Sequence, residues 1–286
     1  MTKEHLKHLT ELNLATIFIS TSGVLGRYIS LPPALTIWWR CLLAAVFIGL
    51  FVWYKGYKFK LNSRKDTKYL FLSGALLGAH WVTYFYALHL SNVAIGLLSL
   101  FTYPVITALL EPIFFNIKLN KMHVFLGAIV LVGIYFLTPE FNLENNYTLG
   151  VLMGLISSLF YALRNILTKK HLSHVNASKV MFYQMISVVI ILFPVLKVYP
   201  ISPSPEHWAA LGTLAFITTA VGHTLFVNSF KHFSISTVSI MSSIQPIYGI
   251  LFGILFLQEI PGSKTIIGGV LILSTVVIES IQSGKK

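Results

Sequence analysis

Glu111, Arg164, His80 and His223 are ionisable side chains set inside long apolar runs of this 286-residue chain. A charge at the centre of a membrane-spanning helix costs about 2.5–3.5 kcal/mol on insertion scales, so such groups are first read as functional. Ser99, Tyr103, Thr107 and Glu111 step by four residues, and Ser157, Tyr161, Arg164 and Thr168 step by three or four. Each set shares one helical face and would line an interior or a cavity rather than lipid. Glu111 lies seven residues before Lys118, and Arg164 lies five before Lys169. At about 1.5 Å per residue both sit roughly 8–10 Å from one boundary. Equal depth and opposite sign allow them to pair as a gate or as part of a substrate site. The competing interpretation is a structural ion pair between helices.

His80 and His223 suit substrate contact or proton relay, because imidazole titrates near neutral pH. The alternative is hydrogen bonding to a neighbouring helix. Tyr84 shares a face with His80, and Trp81 stands beside it. Tyr161 belongs to the Arg164 stripe. Pro104 and Pro246 each free a backbone carbonyl inside an apolar helix, and that group must meet a neighbour or a cavity. Tyr103 and Gln245 directly precede these prolines and are pocket candidates. Arg40 is read as snorkelling toward the outer face. Trp38, Trp39 and Trp53 are read as interfacial anchors, and Gly74 and Gly78 as helix packing. The sequence has no glycine-rich phosphate loop with lysine, no nucleophile elbow and no zinc-like histidine spacing. No catalytic residue, metal or cofactor is therefore expected, and the chain is not read as an enzyme.

The elements that must hold these residues follow from composition. Mean hydropathy is +0.76. The chain is 55% hydrophobic and only 10% charged, where a soluble domain carries about 25%. Such a sequence cannot cover a water-facing surface, but it can face lipid. Apolar runs place spanning helices near residues 11–30, 34–54, 69–89, 93–116, 121–138, 147–169, 177–198, 207–230, 235–257 and 263–281, separated by charged or Pro-, Gly- and Asn-marked gaps. The gap after the fifth run spans Pro139 to Asn146 and carries Glu140 and Glu144. With both termini cytoplasmic, 16 of the 21 Lys and Arg fall on inner segments, Lys285 and Lys286 among them. Arg27, Lys197 and Lys264 fall on outer ones, and Arg40 and Arg164 lie within spans. The net charge of +12 thus expresses topology rather than nucleic-acid binding. The lone Cys41 excludes an internal disulfide.

The chain also matches itself at a shift of about 142 residues. ALHLSNVAIGLLSLFTYPV around Pro104 answers SFKHFSISTVSIMSSIQPI around Pro246, Gly127 falls on Gly269, His80 falls within a residue of His223, and Arg27 falls on Lys169. Five helices per half is odd, so the second half would enter the membrane from the opposite face, as in alternating-access transporters with a midplane site. The expected fold is an all-α integral membrane protein of ten transmembrane helices. It would form two inverted-topology five-helix repeats, 1–142 and 143–286.

WWRCLLAA, FTYPVITALLEP, VGHTLFVNSFKHFS and SIQPIYGILFGILFLQE, taken in that order with the repeat, make the whole chain resemble the drug/metabolite transporter superfamily in its EamA-type ten-helix form. The family's glutamate after helix nine is present as Glu259, and its first-half counterpart is replaced by Ile117. The resemblance implies a multi-pass protein of the cytoplasmic (inner) membrane that exports amino acids or related metabolites. Its expected partners are a small-molecule substrate, the lipid bilayer and a coupling proton or ion, with the chain a monomer or homodimer. Two other classes stay in view: an intramembrane enzyme acting on a lipid-like substrate, and a receptor or structural subunit.

Overall fold

A backbone surrounded by lipid must satisfy its N–H and C=O groups within its own segment, which favours helix. Helix is the regular structure found among the described residues. The computed structural model describes residues 3–61, 63–137, 142–200 and 202–283. Pro139, Glu140, Lys285 and Lys286 of the sequence argument lie outside them. In chain order the elements are α1 (Lys3–Tyr28), α2 (Pro33–Tyr54), α3 (Arg64–Leu90), α4 (Val93–Leu100), α5 (Tyr103–Phe115), α6 (Lys121–Leu137), α7 (Asn146–Leu172), α8 (Ala177–Leu192) and α9 (Val195–Val198). There follow α10 (Pro205–Thr213), a π-helix (Leu214–His223), α11 (Thr224–Ser229), α12 (Ile235–Met241), a 3-10 turn (Ser242–Ile244), α13 (Gln245–Leu257) and α14 (Ser263–Ser283).

Local chemistry sets the ends. Pro33 opens α2, where its missing N–H costs nothing. Ser63 Oγ accepts from Lys65 N at 3.0 Å, and Asn92 Oδ1 accepts from Ile95 N at 2.9 Å, capping α3 and α4. Beyond α5 and α13 the chain turns through left-handed residues, Asn116 at φ 53° and Gln258 at φ 56°. These two stand 142 positions apart (258 − 116).

Each expected apolar run is helical, but four of them are interrupted. The run 93–116 breaks at Phe101-Thr102. Pro104 cannot donate backward there, and Thr102 Oγ1 and Ser99 Oγ donate to the carbonyls of Ser99 and Ile95. The run 235–257 tightens into the 3-10 turn just before Pro246. The run 177–198 is split at Phe193-Pro194. The run 207–230 widens into ten residues of π-helix, where Thr219 Oγ1 donates to Leu214 O, five residues back, at 2.8 Å.

Among the described residues, four helical runs have the length and hydropathy to cross a membrane: Pro33–Tyr54, Val93–Phe115, Asn146–Leu172 and Pro205–Ser229. The apolar helices Lys121–Leu137, Ala177–Leu192, Ser242–Leu257 and Ser263–Ile278 are shorter. Polarity is distributed as lipid requires. Leu50, Trp53, Leu131, Tyr135, Leu255 and Phe256 are exposed, while Thr16, Ser20, Ser99, Ser157, Gln184 and Thr218 are buried. The interior is a bundle in which α3 lies along α7, α1 against the π-helix and α13, α2 against α8, and α6 along α14. Close approach needs small residues. A Cβ on Gly154 of α7 would come within 2.4 Å of Ser99 Cβ, and one on Gly74 of α3 within 2.6 Å of Ser187 Cβ.

Two tryptophan and arginine assignments are corrected by this packing. Trp38 is buried and donates to Val189 O at 3.1 Å, so it docks α2 onto α8 instead of anchoring at the interface. Arg40 is fully buried and does not snorkel, because polar partners from α1 and the π-helix reach it within the bundle. Trp53, by contrast, is 73% exposed, as an outward-facing anchor would be.

Candidate functional site

The middle of the bundle holds a small cavity of about 20 Å³. Of the nine candidate residues, six line it: His80, Trp81 and Tyr84 from α3, Tyr161 from α7, His223 from the π-helix and Gln245 from α13. Ile19 and Ser22 of α1, Leu100 of α4 and Phe101 complete the wall. Tyr103 stands one layer behind, packed edge-on against Tyr161 with ring centroids 4.8 Å apart. Each side chain arrives by helical periodicity. His80 and Tyr84 are one turn apart on α3, and Ser157, Tyr161, Arg164 and Thr168 are all buried on one stripe of α7.

Aromatic faces make up most of the lining. Tyr161 stacks on His80 at 4.4 Å and on Phe226 at 6.0 Å, and Trp81 meets His223 edge-on at 5.1 Å. The polar atoms of His80 are held by Ser157. Ser157 Oγ donates to His80 O at 2.8 Å, which uses the hydroxyl's one proton. His80 Nδ1, 2.7 Å from the same oxygen, must then be the donor.

Glu111 and Arg164 are not joined. Arg164 is fully buried on α7. Its Nη1 donates to Asn165 Oδ1 at 3.0 Å, and its Nη2 donates to Gln184 Oε1 at 2.6 Å and reaches Met181 Sδ at 3.4 Å. Gln184 Nε2 continues the network to Ser73 Oγ at 2.8 Å and Thr168 Oγ1 at 3.4 Å, tying α8 to α3 and α7. Glu111 is half-buried near the end of α5.

The sequence argument missed Arg40 as a member of this region. Its guanidinium lies 3.9 Å from the centroid of Trp81, its Nε donates to Thr219 Oγ1 at 2.7 Å, and its Nη1 reaches Ser22 Oγ at 3.5 Å. The signal was present: the rule that flagged Arg164, an ionisable residue within a span, applies equally to Arg40. Among the described residues no three His, Cys, Asp or Glu side chains converge as metal ligands would. A larger cavity of about 430 Å³ lies on the flank between α2, the start of α8, the π-helix and α11, bordered by the exposed Phe51, Tyr57 and Phe216. It shares no lining residue with the central one.

An apolar exterior around a polar, aromatic-walled centre is the arrangement of a multi-pass membrane protein. The chain belongs to the EamA-like transporter family, whose profile matches residues 12–138 and again residues 148–280. It is 24% identical to an uncharacterized transporter, YxxF, of Bacillus subtilis, across 98% of this chain and 91% of that one. It is 22% identical to the pseudopaline exporter CntI of Pseudomonas aeruginosa, across 91% of each. It is 21% identical to an S-adenosylmethionine uptake transporter of Rickettsia felis, across 99% of this chain and 95% of that one. A crystal structure 15% identical in sequence superposes with a TM-score of 0.72 over 96% of this chain and 98% of its own, which shows the same fold. The family and these relatives are named as transporters, not enzymes.

Proposed function

We propose that the chain is a secondary transporter that moves a small metabolite, an amino acid or related compound, across the cytoplasmic membrane by alternating access. Its ten spanning helices form two five-helix halves of inverted topology, 1–142 and 143–286, with both termini cytoplasmic. Export is the working direction, and a proton or ion supplies the coupling.

One observation carries the proposal. The central cavity is built from both halves, with His80, Trp81 and Tyr84 on one side and Tyr161, His223 and Gln245 on the other. At about 20 Å³ it has room for about one water. A metabolite can occupy it only when the halves separate, first on one side and then on the other. The repeat is supported by the family profile matching twice, by the left-handed turns at Asn116 and Gln258, and by paired breaks before Pro104 and Pro246. The packing supports it too, since α3 on α7 has its counterpart in the π-helix on α1.

Counterflow in proteoliposomes against a panel of labelled amino acids and related metabolites tests the proposal. Exchange that falls with His80→Ala, His223→Ala, Glu111→Gln or Arg164→Gln supports it. A product of changed mass would point to an enzyme, and absence of exchange across the panel would point to a receptor or structural subunit. Loading the vesicles on one side or the other decides between export and uptake.

A further inference from the structure

We propose that the central site takes its substrate by an anionic group, in the first instance a carboxylate, which binds beside Arg40. The inference rests on the transport reading above for the location of the site and adds the chemical class of what enters it.

The argument begins with charge. Arg40 and Arg164 are both wholly buried, and the ion pairs found among the described residues place no carboxylate against either. A buried guanidinium is retained only where hydrogen bonds and counter-charge replace water. Arg164 has replaced much of its hydration with two side-chain carbonyl oxygens and a thioether, leaving only its Nε without a partner. Arg40 has two hydroxyls and the face of Trp81. A guanidinium also gains from an aromatic face, but that face has no lone pair with which to accept.

Hydrogen-bond inventory points the same way. Arg40 Nη2, Tyr84 Oη and His223 Nδ1 are buried and without a partner. All three belong to one locality. Tyr84 and His223 line the cavity, as do Trp81 and Ser22, two of the residues that Arg40 contacts. Buried polar atoms are rarely left unmatched, so orphans gathered at one cavity describe the ligand that completes them. Nη2 and the Tyr84 hydroxyl donate, and His223 Nδ1 donates in one tautomer. Their complement is a group with several acceptor lone pairs and negative charge. A single water would offer two lone pairs and leave the guanidinium uncompensated. A carboxylate offers about four and neutralises it. The rings of His80 and Tyr161, stacked on one another in the cavity wall, suit the apolar or planar part of the same molecule.

The test compares acids with their amides, which match in shape and lack the carboxylate charge. Phenylacetate with phenylacetamide, and L-phenylalanine with L-phenylalaninamide, are titrated against the full-length protein in nanodiscs, with thermal shift and competition as readouts. The expected result is that each acid binds at least about tenfold more tightly than its amide, the order expected for one or two hydrogen bonds to a charged partner. Arg40→Gln should erase the difference, and Arg40→Lys should keep part of it. Equal behaviour of acid and amide, including no binding by either, overturns the proposal. An acid preference that survives in Arg40→Gln overturns the assignment to Arg40. If Arg40→Gln does not fold, the wild-type pairs and Arg40→Lys still decide. Acid-selective binding without counterflow would refute transport and leave the anion site standing. Counterflow confined to compounds without an anionic group would refute the anion site and leave transport standing.

Discussion

Glu259 Oε1 lies 2.9 Å from Arg27 Nε, joining the end of α13 to the end of α1 across 232 positions of sequence. Oε2 of the same carboxylate accepts from Val93 N at 2.8 Å, at the N-terminus of α4, and Arg27 Nη1 donates to His89 O at 3.1 Å. One carboxylate therefore fastens three helix ends and sits where the dipole of α4 favours an anion. The matching position in the first half is Ile117 (259 − 142). Lys169, which stands where Arg27 stands, donates to the carbonyls of Phe230 at 2.5 Å and Phe233 at 3.0 Å. The two ends of the bundle are held by different chemistry.

Glu259→Gln should loosen the end that carries Arg27. A half-exposed ion pair contributes up to about 1 kcal/mol, so opening at that end should rise roughly fivefold. Cys41, the only thiol, is buried and can be replaced by Ala. A reporter at Ser22→Cys should then react several-fold faster with an impermeant thiol reagent applied from the Arg27 side. The charge swap Arg27→Glu with Glu259→Arg should restore the slow rate. Unchanged labelling in Glu259→Gln would show that the pair does not hold this end.

Gln184→Leu should destabilise the fold by about 2–3 kcal/mol, because it strips a hydrogen bond from a buried cation. The double change Arg164→Met with Gln184→Leu should recover much of that loss by removing the charge as well. Thermal unfolding in detergent reads both. Equal stability of Gln184→Leu and the parent would remove Gln184 as the support of Arg164.

Gly154→Ala should cost about 1–3 kcal/mol, since the added methyl overlaps Ser99 at the contact of α7 with α4. Ser99→Gly should return part of that stability in the double variant. Additive losses in the two singles and the double would mean that the helices do not meet there.

Ser157→Ala should lower stability by about 1 kcal/mol while leaving His80 Nδ1 able to donate to Ser157 O, 3.2 Å away. His80→Ala should instead cut counterflow at least about tenfold in protein that still folds. Wild-type exchange rates in both His80→Ala and His223→Ala would take the histidines out of the transport pathway.

Much of the site was legible because helical period and polarity are local properties. His80 with Tyr84, and Tyr161 with Arg164, had to share faces wherever their helices packed, and a polar face inside an apolar helix had to turn inward. Proline chemistry likewise marked Tyr103 and Gln245. What spacing along separate helices could not supply is the rotation of one helix against another. Spacing placed Arg164 on an inward stripe of α7, but only packing turned it toward Gln184 of α8.

The amino-acid sequence by itself determined the membrane class, the helices and their inward faces, because burial of apolar surface and backbone self-satisfaction act along each segment. Tertiary structure alone decided the fate of Arg40. Read along α2, its long side chain could reach an outer face; in the bundle, Thr219, Ser22 and Trp81 arrive from α1, α3 and the π-helix and enclose it. Tertiary structure also decided how His80, Trp81, Tyr84, Tyr161, His223 and Gln245 come to share one cavity, since only packing brings four separate helices to a common centre.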